Sequence, residues 1–92
     1  MTETMKHDAD ARRYSLIIDG NEAGYAEYVE TGAIREFNHT VTDPGHRGKG
    51  IAGKVVQHAL DDSRATGFSI IPACPFVEGF IAKNPEYKDL LA

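Results

Sequence analysis

The sequence predicts an α/β domain of the α+β kind: a mostly antiparallel sheet of about four strands with two main helices packed on it. Three observations carry that reading. Three β-type segments lie between Arg13 and Val41, separated by the turn signals Asp19-Gly20-Asn21-Glu22 and Thr31-Gly32. Ile51, Ala52, Val55, Val56, Ala59 and Leu60 then recur at i, i+1, i+4 and i+5, which places one apolar stripe on a helix. A second such stripe, Phe76, Val77, Phe80 and Ile81, follows a proline suited to the first position of a helix.

Taken in order, residues 1–12 mix charged and small polar residues without a period of 2 or 3.6, and a disordered tail is expected there. Tyr14 to Ile18 has strand composition. Ala23 to Glu30 alternates apolar and polar residues, and Ala33 to Val41 makes a third strand with Ile34, Phe37 and Val41 as expected core contacts. Asp43-Pro44 stops the sheet, because proline cannot donate to a ladder. The first helix should end near Thr66-Gly67, and Phe68 to Ile71 should form a short strand parallel to the third, reached by a right-handed crossover. The second helix runs from Pro75 to Asn84-Pro85, and Tyr87, Leu90 and Leu91 dock a last helical turn.

The chain has 92 residues, enough for one domain near the lower size at which a core is stable without metals or disulfides. A single cysteine excludes an internal disulfide, no Cys/His cluster has zinc spacing, and no hydrophobic run is long enough for a signal peptide or a membrane span. The expectations are therefore no metal, no membrane partner and a cytoplasmic location. A net charge of −4 without a basic stripe argues against nucleic acid as a partner, so any polyanion site must be local.

Such a site is written at Val41-Thr42-Asp43-Pro44-Gly45-His46-Arg47-Gly48-Lys49-Gly50-Ile51-Ala52, a strand running into a glycine-rich loop and then directly into a helix. The glycines allow φ > 0 and close backbone approach, the helix offers unpaired N–H groups and the positive end of its dipole, and Arg47 and Lys49 add cations. Neither familiar phosphate loop fits. Gly50 is followed by Ile51 and Ala52, so the hydroxyl that a Walker loop sets on magnesium is missing. Gly45, Gly48 and Gly50 do not give G-x-G-x-x-G, and no acidic residue about 20 positions on ends a second strand.

What remains, Arg47-x-x-Gly50-x-Ala52, resembles the Arg/Gln-x-x-Gly-x-Gly/Ala signature of the GNAT superfamily, the GCN5-related, acyl-CoA-dependent N-acyltransferases. His39-Thr40-Val41, Ile71-Pro72-Ala73-Cys74-Pro75-Phe76-Val77 and Asn84-Pro85-Glu86-Tyr87 look like the short single-domain branch of that superfamily, and the resemblance covers roughly residues 13–91, with the domain set at 13–92. It implies acetyl-CoA as co-substrate. Backbone amides from Arg47, Gly48, Lys49, Gly50, Ile51 and Ala52 would hold the pyrophosphate with His46 flanking the phosphates, and the splayed edge of the third strand, with Asn38, Thr40 and Val41, would pair with the pantetheine arm. A glycine-rich helix cap with solvated Arg47 and Lys49 is the plainer alternative.

Cys74 lies where a strand meets a helix N-terminus, which lowers a thiol's pKa, so it is either an acyl-accepting nucleophile or a small buried apolar residue. His39 is either a general base for an ammonium acceptor or a strand histidine bonded across the sheet. The resemblance makes Tyr87 the acid that reprotonates the departing CoA thiolate; otherwise it is a docking aromatic. His7 in the tail and His58, away from the apolar stripe, are weaker candidates, and Glu78 is either a base or a solvated carboxylate.

The chain has no residues for most of the elements that wall the acceptor pocket in longer GNAT domains, so the acceptor side should be open. A small-molecule or protein amine is expected as acceptor, and a monomer or weak dimer as the assembly. Set against the N-acetyltransferase reading are a non-catalytic CoA or acyl-CoA-binding module and an anion-binding fold for another nucleotide.

Overall fold

The computed structural model describes residues 2–48 and 50–92. Five strands, β1 (Glu3–Asp8), β2 (Arg13–Ile18), β3 (Asn21–Thr31), β4 (Ile34–Thr42) and β5 (Ser69–Pro72), form one sheet in sequential order. The first four pair antiparallel; β4 and β5 pair parallel across α1 (Ile51–Ala65). The second helix, α2 (Pro75–Lys83), follows β5, and a 3₁₀ segment at Pro85–Leu90 closes the chain.

The strand beyond the expected four is β1, within the segment expected to be a disordered tail. Glu3–Asp8 pairs along the whole of β2, with Met5 opposite Leu16 and His7 opposite Tyr14. Met5 packs against the core, and the backbones of Thr2 and Asp19 hydrogen-bond at the end of the pair. The strand has one apolar residue to bury, and its hold comes from partners distant in sequence that no local period reveals.

Both helices lie on one face. Val55, Val56, Ala59 and Leu60 of α1 and Val77 and Ile81 of α2 are buried with Tyr14, Leu16, Tyr28 and Phe37 of the sheet, and Tyr87 and Leu90 close the core behind them. Leu91, expected to dock, is half-exposed and instead bridges Ile70 by its backbone. The opposite face carries no helix among the described residues, and Val29, Ile34 and Ile71 on it are exposed.

The core expected on β4 is corrected in two places. Phe37 is buried, but Ile34 is exposed and its neighbour Arg35 is 5% exposed, because side chains alternate along a strand and an inward Phe37 fixes an inward Arg35. The buried guanidinium is satisfied by Glu30 (3.1 Å), the Tyr14 hydroxyl (2.7 Å) and Ser63 Oγ (3.1 Å). A β-bulge then inserts Asn38 between the pairs Tyr28–Phe37 and Glu27–His39. Beyond it the parity reverses, so Thr40 and Thr42 face the helices while His39 and Val41 face the open side beside Tyr25.

Among the described residues no helix is long and apolar enough to cross a membrane, and no group of three or more His, Cys, Asp or Glu side chains is arranged to hold a metal ion.

Candidate functional site

β5 is short, and its pairing with β4 stops at Phe37–Pro72. One further bond, from the Cys74 N–H to the Phe37 carbonyl (2.8 Å), closes the pair as the chain turns into α2. From Asn38 to Thr42, β4 is therefore paired on its β3 side only, and its other edge is open toward the helices.

Over that edge lies a groove of about 370 Å³, lined by Thr40, Thr42, Arg47, Gly48, Gly50 to Gly53, and Phe76. Its volume falls within the range of small-molecule sites, roughly 300–1,000 Å³. The N-terminus of α1 forms one wall. Gly50 caps the helix at φ 70° with no side-chain cap, so the first-turn amides of Ile51, Ala52 and Gly53 have no intrahelical acceptor and project toward the groove. Gly48, at φ 80°, makes the turn that delivers the chain there; both glycines occupy the left-handed region that other residues rarely adopt.

The preceding turn is set by Asp43, whose carboxylate accepts from Gly45 N (3.1 Å) and lies 3.1 Å from His46 Nδ1. A third glycine works from behind. A Cβ on Gly24 of β3 would stand 2.7 Å from Ile51 Cγ2 and 3.0 Å from the Val41 carbonyl oxygen, so the close seating of α1 on the sheet requires glycine there.

Of the residues expected to hold the ligand, Thr40, Arg47, Gly48, Gly50, Ile51 and Ala52 line this groove. Asn38 sits at the bulge on the open edge, Val41 faces the other side of the sheet, and His46 is turned to Asp43. Lys49 lies outside the described residues. Thr42, Gly53 and Phe76 were missed. Thr42 follows from Thr40 by the period of 2, and Gly53 from its place in the first turn of α1. Phe76 belongs to the expected apolar stripe of α2, but it is 43% exposed while Val77 and Ile81 carry the burial.

Cys74, Thr40 and the start of α2 form a second feature at the same edge. The thiol donates to Thr40 Oγ1 at 3.4 Å. Burial pushes the thiol's pKa up, but hydrogen bonds from the Thr40 hydroxyl and from the amides of Phe76 and Val77 more than offset this and hold it below its ordinary value. The fold does not gather the other two expected catalytic residues around it. His39 projects from the opposite face of β4, with its ring 6.1 Å from that of Tyr25. Tyr87 is buried, and its hydroxyl donates to Asp61 of α1 at 2.7 Å; burial and that bond push its pKa up to about 12. It is not among the residues that line the groove, and the position makes it the docking aromatic of the C-terminal segment.

His7 and His58, weak candidates in the sequence, belong to a polar cluster at the other end of α1. His7 stacks on Tyr14 with centroids 4.0 Å apart and shares a 2.6 Å hydrogen bond with the Tyr28 hydroxyl. His58 meets the edge of Tyr14. The Tyr14 hydroxyl in turn bonds Asp62 of α1 at 2.5 Å.

Comparison with known proteins agrees with this geometry. Residues 13–90 match the family model described as GCN5-related N-acetyl-transferase. A GCN5-like protein from Staphylococcus aureus superposes with TM-score 0.69 at 18% identity, covering 97% of this chain and 87% of its own. Ribosomal-protein-S18-alanine N-acetyltransferase from Escherichia coli superposes with TM-score 0.60 at 17% identity over 85% of this chain, which spans 50% of the larger protein. N-acetylglutamate synthase from Neisseria gonorrhoeae, in a complex with coenzyme A and N-acetyl-glutamate, gives TM-score 0.62 at 19% identity over 85% of this chain and 22% of its own. No curated protein matches the chain significantly in sequence. At these identities the superpositions show the fold, and the family match covers most of the chain: the protein belongs to the GCN5-related N-acetyl-transferase family, whose chemistry is acetyl-CoA-dependent acetylation.

Proposed function

We propose that the protein transfers an acetyl group from acetyl-CoA to an amine, with the CoA pyrophosphate held by the Arg47-x-x-Gly50-x-Ala52 loop and the pantetheine arm laid along the open edge of β4. The observation that carries this reading is the continuity of the groove. The free amides of Ile51 to Gly53 and the Arg47 side chain stand at one end, and Thr40, hydrogen-bonded to Cys74, stands at the other. Helix N-terminal amides and a cation suit a pyrophosphate, and an unpaired strand edge suits the two amides of pantetheine.

The thioester then reaches the gap where β4 and β5 part. Cys74, with its thiol pKa held low, attacks the thioester carbonyl and takes the acetyl group as the CoA thiolate leaves; an amine next attacks the new thioester and expels the Cys74 thiolate. Attack by the amine on acetyl-CoA itself is the direct route to the same products. In either case the ammonium must lose a proton; His39, exposed on the face of β4 opposite Cys74, can serve only an amine that comes to the β4 edge from that face. The uncovered face also favours a second reading, a module that binds CoA without turnover, because no described element walls an acceptor.

A panel of free amino acids, polyamines and peptides with free N-termini or lysines, assayed for acceptor-dependent release of CoA from acetyl-CoA, separates the two. An enzyme releases CoA with some acceptor, and Cys74→Ala loses transfer by the covalent route while keeping acetyl-CoA affinity. Saturable binding with no acceptor-dependent release leaves the binding module.

A further inference from the structure

The two outer edges of the sheet differ. β5 is covered by the end of the chain: the Ala92 N–H donates to the Ile70 carbonyl (3.0 Å), and Leu91 bridges the same residue. β1 has no neighbour on its outer side among the described residues. Its six residues run in unbroken register with β2, without the proline or bulge that commonly closes an edge to further pairing.

The ladder fixes which backbone groups that edge offers. The Asp19 N–H donates to the Thr2 carbonyl (2.9 Å), and bonded pairs alternate along an antiparallel ladder, so Thr4, Lys6 and Asp8 direct their N–H and C=O groups to β2. Glu3, Met5 and His7 direct theirs outward.

We infer that the β1 edge pairs antiparallel with the β1 edge of a second copy of this chain, about a two-fold axis at Met5. Glu3, Met5 and His7 of one copy then oppose His7, Met5 and Glu3 of the other. Every outward N–H meets a C=O, giving about six hydrogen bonds, two for each bonded pair. Thr4 stands opposite Lys6, and no like charges face each other. Moving the axis to Lys6 would set Lys6 against Lys6, which is unfavourable across a strand pair, and moving it to Thr4 would carry His7 past the end of the other strand.

The surroundings of the edge suit this partner. A cavity of about 260 Å³, lined by Met5, Lys54, Gln57, His58 and Asp61, opens between β1 and α1. Met5 of the second copy, on the same face with its Cα about 5.5 Å from that of Met5, is the apolar group nearest to it. α1 packs over β2 and β3, so the two copies of α1 stand about 20 Å apart, roughly twice a helix diameter, and do not obstruct the pairing. The groove over β4 stays open in both copies, because three strands separate β1 from β5.

Sedimentation equilibrium between about 1 µM and 1 mM should show a monomer–dimer equilibrium with a micromolar dissociation constant, since a six-residue edge buries less than the roughly 1,200 Å² of a standard interface. Met5→Pro removes the bonds at the axis while sparing the β1–β2 ladder, because the Met5 N–H faces outward, and should weaken the dimer about a hundredfold. Thr4 is exposed on the face away from α1. Thr4→Lys sets a lysine against Lys6 and should weaken the dimer about fivefold, whereas Thr4→Glu should strengthen it by a similar factor. A monomer throughout the range overturns the inference. A dimer with equal dissociation constants in the two Thr4 variants overturns it even where Met5→Pro unfolds the strand, and one lost only in Ile34→Lys assigns the contact to the open face of the sheet instead.

Discussion

The thiol of Cys74 and the hydroxyl of Thr40 are 3.4 Å apart across the point where β4 loses its β5 partner. A nucleophile at the start of α2 is thereby tied to the strand edge along which a ligand can pair. The thiolate is favoured by hydrogen bonds from Thr40 and from two helix amides, with no imidazole beside it, since His39 lies on the other side of the strand.

Thr40→Val should therefore raise the Cys74 pKa, because it removes a donor to the thiolate and leaves the desolvation by burial in place. The rate of iodoacetamide alkylation followed against pH reads this directly. Its midpoint should lie below that of an ordinary cysteine in the wild type and move upward in Thr40→Val. An unmoved midpoint would show that the helix amides alone set the thiol.

Gly24 and Ile51 should behave as a coupled pair. A Cβ on Gly24 would collide with Ile51 Cγ2 and with the Val41 carbonyl, so Gly24→Ala should cost about 1–3 kcal/mol by overpacking. Part of that collision disappears when Ile51 is shortened to alanine. The urea unfolding energy of the double variant should thus be less destabilised than the sum of the single changes. Strict additivity would mean that the helix moves as a whole to make room.

Arg35 is buried with Tyr14, Ser63 and Glu30 as hydrogen-bond partners, and Asp62 bonds the same Tyr14 hydroxyl. Arg35→Ala leaves those partners uncompensated and should destabilise by about 3–5 kcal/mol. Arg35→Met fills more of the volume but leaves the same polar groups unpaired, so it should recover only part of the loss. Denaturant midpoints of the two variants measure the split between lost packing and lost polar satisfaction.

His7 supplies a pH dependence. Its pKa is lowered by burial and by the Arg35 guanidinium, against a smaller opposing effect of Asp62, with His58 and Glu30 acting more weakly in opposite directions; Tyr14 and Tyr28 complete its surroundings. Above the unfolded pKa of about 6.5 the imidazole is neutral in both states and contributes no slope. As pH falls through that value toward the lower folded pKa, the unfolded chain binds a proton that the folded chain resists, so stability is lost. The urea midpoint should drop between pH 7 and pH 5, and His7→Gln, which keeps a polar group beside Tyr28, should flatten that part of the profile. A profile unchanged by the substitution would assign the slope to other groups.

Much of the fold could be read locally because its signals are local. The stripes of α1 and α2, the turn at Asp19-Gly20 and the stop at Asp43-Pro44 each depend on neighbours within a few residues. One source of failure is dependence on distant partners, and another is a local period read inconsistently. Glu3–Asp8 is a strand because Leu16, Tyr14 and Tyr28 receive Met5 and His7. The set Ile34, Phe37 and Val41 already conflicts with a period of 2, since positions 34 and 37 fall on opposite faces. Anchoring on Phe37 would have put Arg35 inside; the bulge at Asn38 that turns Val41 outward has no local signature in the sequence. At the site, the loop glycines were legible from their spacing, whereas Phe76 and the separation of His39 from Cys74 depend on how the strand edge is laid between two helices.

The central claim, that one groove joins the α1 amides to the open edge of β4 and takes acetyl-CoA, is tested most directly by titrating isotope-labelled protein with acetyl-CoA and following backbone amide shifts by NMR. Saturable shifts that share one binding constant at Arg47, Gly48 and Gly50 to Gly53, at Asn38 to Thr42 and at Cys74 are the predicted result. A titration in which the loop and the strand edge stay unmoved would contradict it and reduce the glycines to a turn before a helix.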